Sequence, residues 1–554
     1  MDTPTTSGPM DSTTAAPTSR VVETGAYDAI VVGAGFAGLY LLHRLRAMRR
    51  TAIAFDVADD VGGTWWWNRY PGARCDIVSI DYSYSFDEQL EQDWQWSEKY
   101  ATQPEILSYA NHVADRFDLR RDVRFSTRVT AATWHEDDGR WTVDTDHGDH
   151  VDAPFLFMAV GALSTAKRPE IDGIDDFTGP EYHTGQWPHE GVDVTGRRVA
   201  VIGTGSSGIQ SIPLLARDAE SVTVFQRTPC FTVPARNRPL DPAEVAEVKA
   251  RYRAHRAEQR ATHGGTITPS PEQSAHEVEA DERERRFDAI WEQGTLFGFL
   301  GAFNDVMIDE TANTVVADYL RDRIRRIVDD PATAETLCPT SYPVGSKRLC
   351  LDTDYYETFN RPNVELVDLR RTPIERITAT GIETTERSFE FDDLVFATGF
   401  DAMTGPLLGP TITGRDGATL RDEWAAGPRT YLGLTAHGFP NLFMITAPGS
   451  PSVMTNMLVS IEQHVEWSTA LMEWMTDNGH RTVDPSLDAQ DQWVAHVNEV
   501  AEFTLFPRGN SWYLGANVPG KPRVFMPYIA GADTYRAICD EIAADDYRGF
   551  AFTD

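Results

Sequence analysis

No two cysteines in this chain are spaced for redox chemistry. The five present, Cys75, Cys230, Cys338, Cys350 and Cys539, form no CxxC or CxxxxC pair and no metal-ligand spacing. They read as reduced thiols, which argues against a disulfide reductase and against a cysteine-built metal site. Positive charge is also scarce. Lys and Arg total 50 against 84 Asp and Glu, a net charge of −34, and that excess repels nucleic-acid phosphate and anionic membrane. No uncharged apolar run approaches the ~18 residues that a membrane span needs. The opening MDTPTTSGPMDSTTAAPTSR has neither a basic start nor an apolar stretch, so no secretory signal is expected, and its Pro, Ser and Thr predict a disordered tail over residues 1–25. These absences predict a cytoplasmic protein with no nucleic-acid, membrane or metal partner.

What is present is an enzyme-like composition, 41% hydrophobic with 14 Trp in 554 residues, too long for one ordinary core. The stretch YDAIVVGAGFAGLYLLHRLRAM is an apolar strand, then Gly33, Gly35 and Gly38, then a helical pattern. In that order the first glycine permits the tight turn, the second lets backbone approach a pyrophosphate, and the third lets helix pack on strand. The next strand, TAIAFD, ends on Asp56, whose carboxylate suits a ribose 2′-hydroxyl and repels a 2′-phosphate. The same grammar returns in GRRVAVIGTGSSGIQ with Gly203, Gly205 and Gly208. There the following strand ends in Gln226, Arg227 and Thr228, and Arg227 can pair with a 2′-phosphate. FAD is expected at the first loop and NADPH at the second.

Two buried strands ending in small residues, FLFMAVGALS (155–164) and DLVFATGFDA (393–402), mark where the chain passes between units. The expected fold is α/β, with two Rossmann-like dinucleotide-binding domains, the NADPH domain inserted in the FAD domain, and a helical subdomain inserted in turn. The FAD domain would span 26–160 and 393–554, the NADPH domain 161–235 and 336–392, and the helical subdomain 236–335. Charge-dense runs such as PAEVAEVKARYRAHRAEQR predict solvated helix faces there.

A double dinucleotide plan without paired cysteines leaves reduction of dioxygen by a flavin as its main use. Just before the second glycine loop the chain reads FTGPEYHTGQWPH, an FxGxxxHxxxWP pattern on Phe177, Gly179, His183, Trp187 and Pro188. That string in that place resembles the fingerprint of type I Baeyer-Villiger monooxygenases. GGTWWWNRYPGARCD (62–76), YPVGSKR (342–348), DTDYYETFNRPNV (352–364), ATGFD (397–401), GSPSVMTNMLVSIEQHVEW (449–467) and NSWYLGANVPGKPR (510–523) look like segments of the same family. They favour its ketone-oxidising branch.

The resemblance implies that NADPH reduces FAD, that dioxygen forms a flavin peroxide, and that a ketone becomes an ester or lactone through a tetrahedral adduct. It implies that Arg348 stabilises these anions and that Asp76 holds Arg348 in place. It also implies that Gly63, Thr64 and Trp65 lie against the flavin, that Lys347 and Thr228 assist Arg227, and that Trp512 folds over the nicotinamide. Val453, Met454 and Met457 would line the substrate pocket. His183 and Trp187, at the seam between the units, read as conformational residues rather than acid–base catalysts. Two other functions stay open at this point: an N- or S-oxygenating flavin monooxygenase, and an inactive nucleotide-binding sensor or scaffold.

Overall fold

The computed structural model describes residues 27–268 and 271–554, and the tail expected at 1–25 lies outside the described residues. Two five-stranded sheets are built on one plan. The first runs in the order 442–444, 155–158, 29–32, 52–55, 123–124, every neighbour parallel. The second runs 181–183, 393–396, 198–202, 221–226, 364–368, again all parallel. Strands such as Phe155–Met158 and Asp393–Phe396 are buried along their whole length, as a parallel sheet covered on both faces requires. Each sheet also has an antiparallel meander in the connection leading into a strand that pairs with its glycine-turn strand: 129–153 before Phe155–Met158 in the first, and 374–390 before Asp393–Phe396 in the second.

This repeat corrects one boundary. Strand Asp393–Phe396, read from sequence as the start of the returning FAD segment, pairs with Arg198–Ile202 and belongs to the second sheet. It is the counterpart there of Phe155–Met158 in the first. The chain goes back to the first sheet only at Leu442–Met444. An apolar strand carries no mark of which sheet it joins, so the sequence could not separate the two.

The crossings between units run side by side. Lys167 N–H donates to Gly399 O at 3.0 Å, Asp401 N–H to Thr165 O at 2.9 Å, and Met403 N–H to Ala162 O at 2.8 Å. The described residues between 236 and 335 are mainly helical, with Pro242–Ala250, Tyr252–Arg260, Ala280–Gln293 and Glu310–Ile327 among the helices. One of their charge runs is not a solvated face. Arg256 is buried and bonds Glu91 at 2.8 Å and Ser83 at 2.7 Å, while His255 meets Asp81 at 2.6 Å. These polar groups stay inside because each charge finds a partner there, and they fasten the insert to the segment that follows Asp76.

Both glycine-rich turns lie at the C-terminal ends of their strands, and in both the third glycine packs on the first. A Cβ on Gly38 would overlap the Gly33 carbonyl, and one on Gly208 would crowd Gly203 in the same way. Gly38→Ala is therefore expected to lower stability by roughly 1–3 kcal/mol, the usual cost of overpacking, and to reduce bound flavin. Thermal unfolding with flavin content measured alongside checks this, and an unchanged melting temperature would remove the close-packing role.

Candidate active site

One cavity of about 1820 Å³ runs across the seam and is lined by both glycine turns. A site for one small molecule commonly occupies ~300–1,000 Å³, so this space accommodates more than one. On its walls lie Gly33, Gly35, Asp56, Gly63, Thr64, Trp65 and Asp76 from the first unit. Gly203, Gly205, Arg227, Thr228, Lys347, Arg348, Val453, Met457 and Trp512 face it as well. The structure thus brings together most of the residues singled out in the sequence. Gly38 and Gly208 lie behind the turns in helix–strand contacts. Met454, like Met457 and Trp512, is partly buried against a core cluster that includes Val453, Phe506 and Tyr513.

The residues fit two dinucleotides. Around Gly205 a Cβ would meet nothing within 4 Å, and Gly35 and Gly63 approach so closely that a Cβ on Gly63 would lie 2.8 Å from the Gly35 Cα. Backbone is therefore bare where a pyrophosphate would lie, at the N-termini of helices Phe36–Ala47 and Ser206–Asp218. Asp56 accepts from Ala34 N–H at 2.6 Å and Ala58 N–H at 2.8 Å. Burial pushes its carboxyl up and those backbone bonds oppose the shift. Lone pairs remain on both oxygens for ribose hydroxyls.

The second unit presents cations instead. Arg227 is exposed at the end of strand Ser221–Gln226, with Lys347 and Lys167 close enough to feel its charge. Burial lowers the ammonium pKa of both lysines, and Arg227 adds to the effect. Three cations gathered in a chain of net charge −34 suit an anionic ligand group. Lys167 escaped the sequence reading because a single Lys in a linker has no motif. It reaches the Asn517 carbonyl, and Asn517 Nδ2 donates to Phe400 O at 2.7 Å, so the Trp512 loop is tied to both crossings.

An ion pair lies on the wall of the same cavity. Arg348 Nη2 and Nε donate to Asp76 Oδ2 at 2.7 and 3.0 Å, and Nη1 donates to Val453 O at 2.6 Å. The side chains are only 20% and 27% exposed. Burial would lower the guanidinium pKa, but Asp76 and the Tyr513 phenol outweigh it and raise the value further, so Arg348 is permanently charged. Burial pushes Tyr513 up to about 12. Asp76 arrives there because its loop is docked on the second unit, with Tyr70 Oη donating to Gln210 at 2.8 Å. Tyr513 was missed because it adjoins the more conspicuous Trp512.

His183 and Trp187 do not line the cavity. His183 Nδ1 accepts from Gly185 N–H at 3.0 Å, its Nε2 lies 3.4 Å from Thr398 Oγ1, and its ring meets Phe400 edge-on. Burial lowers its pKa, and with Nδ1 accepting, the remaining proton belongs on Nε2. Trp187 is buried against Tyr182, at 5.4 Å between ring centroids, in a cluster that includes Tyr70 and Ala73 of the first unit.

The three-cation cluster yields a test. Arg227→Ala is expected to raise the KM for NADPH by about one to two powers of ten, the equivalent of ~1.5–3 kcal/mol for a charge-assisted contact, while the KM for NADH barely changes. Steady-state kinetics with both cofactors decides it, and an equal loss for both would contradict a 2′-phosphate site.

Comparison with known proteins bears on the same cavity. A family model described as pyridine nucleotide-disulphide oxidoreductase matches residues 30–289, although all five cysteines here are free. A Baeyer-Villiger monooxygenase of Pseudooceanicola batsensis is 43% identical over 527 residues, covering 94% of this chain and 95% of that one. A phenazine N-monooxygenase of Lysobacter antibioticus is 41% identical, covering 95% and 96%. The solved structure of an oxidised steroid monooxygenase bound to NADP aligns with a TM-score of 0.91 at 52% identity, covering 96% of this chain and 99% of that one. With such identity along nearly the whole length, and with two dinucleotide turns opening on one cavity that also holds Arg348, this chain belongs to the Baeyer-Villiger monooxygenases.

Proposed function

We propose that the chain converts a ketone to an ester or lactone: ketone, O₂, NADPH and a proton yield ester, water and NADP⁺. The observation that carries this reading is a permanently charged Arg348, paired to Asp76, inside one cavity that reaches both glycine turns. Bound FAD supplies the transfer of electrons from NADPH to dioxygen and the delivery of one oxygen atom to the substrate.

The chain's own residues then have distinct tasks. Arg348 stabilises negative charge developing on oxygen, with a side chain that is only 20% exposed. Its planar fork is occupied on one side by Asp76 and at Nη1 by the Val453 carbonyl, which fixes its orientation. Asp56, the first glycine turn and the Gly63–Trp65 segment hold FAD. Arg227, Thr228, Lys347 and Lys167 hold the NADPH phosphate, and Trp512 covers the nicotinamide. Val453, Met454 and Met457 shape the ketone pocket, where unbranched Met side chains suit varied substrates. His183, against Thr398 and Phe400 of one crossing, and Trp187, packed in a cluster with Tyr70 and Ala73 of the first unit, act on conformation at the joint.

The ketone and dioxygen are proposed as the reaction partners. Among the described residues no helix is long and apolar enough to cross a membrane and no cluster could hold a metal ion. A cytoplasmic location is proposed on the composition.

A second reading, N-oxygenation, is favoured by the phenazine N-monooxygenase relative. A ketone panel and a phenazine, scored by product identity, separate the two. The central substitution is Arg348→Ala. If the arginine is catalytic, the variant binds FAD and is reduced by NADPH but forms at least ~10²-fold less ester. If the pair is only structural, the variant loses ~3–5 kcal/mol of stability together with its flavin. Stopped-flow reduction with product analysis distinguishes these outcomes, and normal ester formation would refute the catalytic role.

A further inference from the structure

None of the described residues between 236 and 335 lines the cavity, yet the helical insert touches both supports of Arg348. Asn313, on helix Glu310–Ile327, is 2% exposed. Its Nδ2 donates to Val306 O at 3.0 Å and Val344 O at 2.9 Å, and its Oδ1 accepts from Val344 N–H at 2.8 Å. One side chain therefore grips both backbone groups of Val344. That residue sits in the turn Pro343–Ser346, closed by Ser346 N–H and Oγ on Pro343 O at 3.2 and 2.7 Å. The turn is also clamped by packing. Gly345 has φ +87°, and a Cβ there would lie 2.7 Å from Leu300 Cδ2 and from Met307 Sδ, both in the insert. Two residues beyond Ser346 comes Arg348.

The second support is tied to the insert as well. Val453 O, which receives Arg348 Nη1, is three residues before Asn456. The Asn456 N–H donates to Gly264 O of the insert at 2.9 Å, and its Nδ2 donates to Asp81 O at 2.7 Å.

We propose that Asn313 is a positioning residue for Arg348: by holding the Val344 turn to the insert it sets where the guanidinium meets Asp76 and the reacting atoms. This rests on the reaction proposed above. A buried amide making three bonds to main chain is specific in direction and in register, which an apolar contact is not. Losing it frees a turn at the root of a side chain whose placement must hold to within a fraction of an ångström, and a misplacement of ~1 Å can cost about 10²-fold in rate.

The test uses the full-length, FAD-loaded enzyme with Asn313→Ala and Asn313→Ser. Flavin content, the rate of flavin reduction by NADPH, ester formed per NADPH consumed, and the crystal structure of each variant are measured. Per bound flavin, reduction is expected to stay within about twofold of the unsubstituted enzyme, while ester per NADPH falls about ten- to a hundredfold in Asn313→Ala. Asn313→Ser, whose hydroxyl can serve one of the three bonds, is expected to fall between the two, and it carries the same measurements if the alanine variant does not fold. In the crystal the Arg348–Asp76 contact is expected to open beyond hydrogen-bonding distance. The proposal is overturned if the flavin-loaded fraction, however destabilised, makes ester in the unsubstituted ratio with the ion pair intact. If the unsubstituted enzyme makes no ester from any ketone, the proposed reaction fails. The crystallographic position of Arg348 then still decides the role of Asn313.

Discussion

A half-buried guanidinium has to be held by something, and the Arg348–Asp76 pair is the constraint around which the two units meet. The partners lie 272 residues apart, one on a loop of the first unit and the other just before strand Cys350–Asp352 beside the second. A charge so enclosed costs several kcal/mol if left alone. The loop carrying Asp76, the Val453 carbonyl and the Tyr513 phenol must therefore all arrive correctly for the site to exist. Electrostatics here is a demand on tertiary structure.

The rest of the fold meets that demand by repetition and by tethering. Two copies of one parallel-sheet plan place two glycine turns facing a shared space, and the paired crossings at 162–167 and 399–403 fix one copy against the other. His183 and Trp187 belong to this joint. The described residues of the insert stand outside the cavity and work from behind, through Asn313, the Gly264 contact to Asn456 and the buried Arg256–Glu91 pair. A long excursion whose described residues contribute no wall thus contributes alignment.

Legibility in the sequence follows the range of the interactions. The glycine turns, Asp56 and Arg227 are local signals, each set by a strand, a turn and a helix in succession, and they could be read directly. Arg348 and Asp76 could not be paired by any local rule, and only their motifs' resemblance to a family brought them together. Strand Asp393–Phe396 was placed with the wrong sheet because its three buried apolar residues, Leu394, Val395 and Phe396, fit either one. Lys167 and Asn313 gave no sequence signal: a lone Lys in a linker and a lone Asn in a helix look ordinary until the chain is folded. His255 and Arg256 fall in a run that looks like a solvated face, and only tertiary partners reveal that it is buried.

The most direct test of the account is a double-mutant cycle of Arg348→Ala and Asp76→Ala, read as ester formed per bound flavin. If Asp76 acts by holding Arg348, the double variant should be no worse than Arg348→Ala alone, within about twofold, because the pair behaves as one unit. Losses that multiply, or an Asp76→Ala enzyme indistinguishable from the original, would contradict the claim that this ion pair organises the site.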